Sequence, residues 1–96
     1  MAPATIILAP EVDTAILRLI DHVDISETPA VLAFVDMVHQ RMARTLAEFP
    51  HAGARFQGQV RFLSIAGYTY LYEYDPDGNA VHVLDLMMPG QNWRNR

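Results

Sequence analysis

The chain has 96 residues, of which 51% are hydrophobic and 19% charged, a composition that supports one modest core and excludes a disordered tail. It holds no cysteine, which removes disulfide frameworks, thiolate nucleophiles and cysteine-bearing zinc sites together. Seven arginines and no lysine stand against eleven acids for a formal charge of −4, a balance that argues against broad nucleic-acid or anionic-membrane affinity.

Taken in chain order, Ala4 to Leu8 is short, β-branched and bounded by Pro10, and reads as a strand. The apolar run from Ala4 to Ala9 lacks a basic leader and is too short for a signal core or a membrane span, so a cytoplasmic protein is expected. Pro10 suits a first helical turn, and Glu11 and Asp13 follow where a helix N-terminus favours negative charge. Val12, Ala15, Ile16, Leu19, Ile20 and Val23 then recur at three- and four-residue steps, an amphipathic helix interrupted by Asp24 to Glu27. Thr28-Pro29 restarts a helix, with the threonine as expected N-cap, and Val31, Val35, Val38, Met42, Leu46 and Phe49 form its apolar stripe as far as Pro50. Two helices joined by a short connection predict an α-hairpin.

Gln59 to Ala66 reads as a strand with Val60 and Phe62 on one face and Arg61, Leu63 and Ile65 on the other. Gly67 breaks it, and Tyr68 to Tyr74 alternates so that all four tyrosines share a face. Asp75-Pro76-Asp77-Gly78 is a turn signal, Ala80 to Met87 the last strand, and Pro89-Gly90 its end. The expected fold class is α+β in the order β-α-α-β-β-β, an N-terminal strand and α-hairpin on a mainly antiparallel four-stranded sheet. A single domain spans residues 1–96, with 88–96 as a C-terminal tail.

Few residues carry chemistry. His22, His39, His51 and His82 fall in different elements without metal-ligand spacing, and Ser26 and Ser64 lack a nucleophile elbow, so no metal, cofactor or catalytic residue is expected. The tyrosine column has two readings, cross-strand packing or an open recognition face in which Tyr68, Tyr70 and Tyr72 stand beside arginines. Arg61 lies in an otherwise apolar strand, where a charge needs a partner; an internal salt bridge to Glu73 or Asp85 would supply one, and a binding surface is the other reading. Trp93, followed by Arg94 and Arg96, either clips the tail to the core or anchors an interface. The charge is also segregated, −5 over residues 1–40, +3 over 41–72 and −2 over 73–96, which leaves a basic middle between acidic ends.

The strand leading into Pro10-Glu11, Phe49-Pro50-His51-Ala52-Gly53, Val60-Arg61-Phe62-Leu63, Gly67-Tyr68-Thr69-Tyr70-Leu71-Tyr72-Glu73, Val83-Leu84-Asp85-Leu86 and Trp93 occur in an order that resembles the RelE/ParE toxin superfamily across nearly the whole chain. One branch of that superfamily is a ribosome-dependent mRNA endonuclease. It uses lysines in the strand corresponding to 59–66, an arginine after the Gly-Tyr of the next strand, and an arginine and tyrosine near the C-terminus. Here the strand has no lysine, Thr69 follows Gly67-Tyr68, Pro89 stands about where the later arginine would be, and Trp93 stands near the tyrosine. The resemblance therefore implies the ParE-like branch, which inhibits DNA gyrase by direct binding and is neutralised by a ParD-like antitoxin. Arg61, Tyr68, Tyr70, Tyr72, Trp93 and Arg94 are the expected contact residues for target or antitoxin. An endonuclease with a rearranged site, or an inactive binding module, is the alternative.

Overall fold

The computed structural model describes residues 2–89. β1 (Thr5–Leu8) leads into α1 (Pro10–Asp21), a short 3-10 turn (Ile25–Glu27) and α2 (Thr28–Glu48). Four strands follow, β2 (Ala54–Gln57), β3 (Val60–Ile65), β4 (Tyr68–Asp75) and β5 (Ala80–Met87). The sheet order is β1-β5-β4-β3-β2, with β1 parallel to β5 and the remaining pairs antiparallel.

The α+β order holds, but the sheet has five strands rather than four. The extra strand, β2, is four residues long and exposed throughout; Ala-Arg-Phe-Gln has no buried alternate face and so no period-two signal. Gly58, with φ of +56°, turns it into β3. Thr28 is the first residue of α2 rather than its cap. Its hydroxyl donates back to the Asp24 carbonyl at 3.2 Å, because the 3-10 turn already feeds the helix. Phe49 also departs from the expected stripe: α2 stops at Glu48 and the Phe49 side chain is exposed.

Val12 of α1 and Val35, Val38, Met42 and Leu46 of α2 pack onto Ile65, Tyr68, Tyr70, Tyr72, Val81, Val83 and Leu86 of the sheet. In β5 the inward positions change phase from Val81 and Val83 to Leu86. A bulge at Leu84 does this, pairing Tyr72 with Val83 but Leu71 with Asp85. The expected turn after β4 forms, with the Asp75 carboxylate accepting the Asp77 N–H at 3.1 Å. Asn79 takes φ of +48° there, accepts the Tyr74 hydroxyl at 2.8 Å and donates to the Ala2 carbonyl, tying the turn to the N-terminus.

Candidate functional site

A row of three side chains crosses the sheet on its helix-facing side. Tyr72 of β4 is the cross-strand partner of Arg61 on β3, which is in turn the partner of Arg55 on β2. The first two converge on Gly53, where the chain returns from α2 to the sheet. The Tyr72 hydroxyl accepts the Gly53 N–H and an Arg61 guanidinium N–H donates to the Gly53 carbonyl, both at 2.9 Å. A Cβ on Gly53 would lie 2.5 Å from the Phe62 carbonyl oxygen and 2.7 Å from the Tyr72 hydroxyl, so the close approach requires glycine. Burial pushes the Tyr72 phenol above its ordinary pKa, while the Gly53 bond and the Arg61 charge pull it partway back.

Arg61 therefore has a backbone carbonyl as partner, not the expected salt bridge. Glu73 follows Tyr72 on β4 and so takes the opposite face of the sheet, and Asp85 stands on β5, with β4 between it and Arg61. Neither carboxylate is placed to meet the guanidinium.

The tyrosine column shares one face as expected, but that face is covered by the helices. Tyr70 and Tyr72 are 0% exposed and Tyr68 8%, so the column is core and not an open recognition face. Alternation identifies which side chains go together; it is silent on which side the helices will occupy. Tyr70 forms a short hydrogen bond with His39 Nδ1 on α2, and Phe34 packs its ring 5.9 Å from that of Tyr68. Burial, followed by the neighbouring Tyr68, pushes the Tyr70 phenol far up. Burial also lowers the His39 pKa against the opposing pull of Asp36 and Asp13. The second ring nitrogen of His39 is buried and has no partner among the described residues.

At the start of β4, the ends of β4 and β5 bring Thr69 beside Met87 and Gly67 beside Pro89. Thr69 pairs across β5 with Met87, two residues before Pro89, and a Cβ on Gly67 would touch the Pro89 ring at 3.2 Å. Thr69 is 6% exposed, and its hydroxyl is bonded to that of Ser64 at 2.8 Å. The corner thus holds hydroxyls and proline and no cation at position 69 or 89. Trp93 and Arg94 lie outside the described residues.

Sequence reasoning passed over Gly53, His39 and Arg55. Gly53 carried a signal, as the end of Phe49-Pro50-His51-Ala52-Gly53, but its two partners are 8 and 19 residues away in sequence. Arg55 had none, because its strand was unread. Among the described residues no group of three histidine, aspartate or glutamate side chains is arranged to hold a metal ion.

No protein-family model matches the chain, and no curated protein matches it. Solved structures do. A chain of the toxin–antitoxin complex RelBE2 from Mycobacterium tuberculosis superposes with a TM-score of 0.66 at 18% identity, covering 95% of this chain and 97% of that one. A chain of the intact Escherichia coli RelBE complex gives 0.55 at 11% identity over 92% and 99%. The isolated Escherichia coli RelE toxin gives 0.56 at 11% identity over 93% and 87%. The chain shares its fold with these solved structures, and at these identities the likeness is one of fold alone.

Proposed function

We propose that the chain is the toxin of a type II toxin–antitoxin module, of the ParE-like branch. In this reading it inhibits DNA gyrase by direct binding in the cytoplasm and is neutralised by a ParD-like antitoxin. The observation that carries the reading is that positions 69 and 89 hold a threonine, bonded to Ser64, and a proline set against Gly67, rather than cations. Cutting RNA requires groups that stabilise charge on the phosphate and move protons at the 2′-hydroxyl and leaving oxygen. The positions to which the family resemblance assigns two of those groups, 69 and 89, offer a hydroxyl bonded to that of Ser64 and a proline ring.

Two further features support a protein partner. The RelBE chains of this fold come from complexes with their antitoxins. Leu17, Ile25, Met37 and Phe49 are each more than half exposed, and large apolar side chains at the surface favour a protein that covers them. Arg61, beside its cross-strand partner Tyr72, is the contact residue we retain on geometric grounds, and Trp93 and Arg94 complete the proposed set.

A second reading, a RelE-like endonuclease, is favoured by the provenance of all three solved structures in RelBE systems. Growth on induced expression, with and without the partner gene, and primer extension on programmed ribosomes separate the two. The proposal expects arrest that the antitoxin relieves and no new A-site ends in the mRNA. Arrest accompanied by A-site cleavage would replace it with the endonuclease, and normal growth with an inactive module.

A further inference from the structure

Two like charges face each other at the β2–β3 hairpin. Arg55 and Arg61 are direct cross-strand partners, a placement that brings their side chains within reach of one another and is destabilising for equal charges. No carboxylate among the described residues relieves it. Arg61 spends one donor on the Gly53 carbonyl, and neither guanidinium forms an ion pair with a described residue. A guanidinium carries five donors, so most of those on this pair are uncommitted. The two side chains, with Gly58 and Gln59, line a small cleft of about 60 Å³.

A retained repulsion of this kind marks a place for an anion. We infer that Arg55 and Arg61 form a carboxylate-binding site that receives one acidic side chain of a partner polypeptide. The inference deepens the reading above and rests on it for the existence of a protein partner. A cleft of this size admits one oxyanion head, and two guanidiniums on adjacent strands clamp it with charge-assisted hydrogen bonds. Arg61 is pre-set, because Gly53 already holds its guanidinium; Arg55 is exposed and closes from the side. An acidic protein segment suits the site better than nucleic acid. Affinity for a phosphate backbone rests on neutralising several phosphates in a row, whereas two cations in a chain of net charge −4 answer a single carboxylate.

The site is tested on the full chain by following the Arg55 and Arg61 side-chain N–H resonances by NMR. The probe is a capped pentapeptide alternating threonine and glutamate, with its glutamine counterpart, inorganic phosphate and a short single-stranded oligonucleotide in parallel. The glutamate peptide is expected to shift both resonances saturably, to bind about tenfold more tightly than the glutamine peptide, and to weaken as salt is added. Arg55→Gln, at an exposed position, is expected to cost about tenfold in affinity. Arg61→Gln should do the same, with the Gly53 amide resonance reporting that the loop is intact. Equal binding of the two peptides, unmoved arginine resonances, a response to phosphate without one to the peptide, or tighter binding of the oligonucleotide would each overturn the assignment. The readout is peptide binding by the chain alone, so the outcome is separate from whether the chain inhibits gyrase.

Discussion

Tyr72 and Arg55 flank Arg61 in one row across the sheet, and their circumstances are opposite. On the β4 side both polar groups of Gly53 are satisfied: the Tyr72 hydroxyl accepts its N–H, and Arg61 donates to its carbonyl. On the β2 side a second guanidinium stands beside the first, and no carboxylate among the described residues neutralises it. The inner half of the row builds the fold, since satisfied buried polar groups fix one arrangement of loop and sheet. The outer half contributes a repulsion that the fold does not need, which is the mark of a group kept for a partner.

The largest effect is expected from breaking the inner half at its narrowest point. Gly53→Ala forces a methyl against the Phe62 carbonyl and the Tyr72 ring, and should cost about 3 kcal/mol in urea unfolding. Tyr72→Phe keeps the ring but leaves the buried Gly53 N–H without an acceptor, for a loss of about 1–3 kcal/mol.

The next test is pH. His39 is held below its ordinary pKa of 6.5 by burial, so the folded chain prefers it neutral. Below pH 6.5 the unfolded chain therefore binds more protons, and stability should fall as the pH drops through that value. Thermal unfolding from pH 7.5 to pH 5 checks this, and His39→Gln should flatten the slope.

The smallest effect carries the opposite sign. Arg55→Gln relieves the cross-strand repulsion and should stabilise the chain by a few tenths of a kcal/mol at low salt, and by less at high salt. A destabilisation there would mean that the outer half of the row is structural too, and the comparison would collapse.

The helices and the three long strands were legible because their periods are carried by many residues: Val35, Val38, Met42 and Leu46 at helical spacing, and four tyrosines at alternate positions. β2 was not legible, because a four-residue strand exposed along its whole length leaves no periodic trace. Arg61 was picked out correctly as a charge in need of a partner. Its acceptor, however, is a backbone carbonyl, which no side-chain search along the sequence can reveal. The Leu84 bulge was equally silent, since Ala80 to Met87 reads as one continuous strand and only the register with β4 shows the phase change. Of the candidate site, the positions 69 and 89 were visible as residues, but the approach of Pro89 to Gly67 is a property of the fold.

The central proposal is that this fold, with threonine and proline rather than cations at positions 69 and 89, acts by binding rather than by cutting. Gyrase-catalysed supercoiling of relaxed plasmid, titrated with the purified chain, tests it most directly. Supercoiling should be lost as the chain is added and recover when the cognate antitoxin is supplied. Supercoiling that stays unchanged at saturating chain, with mRNA cut in the ribosomal A site by the same preparation, would contradict the account.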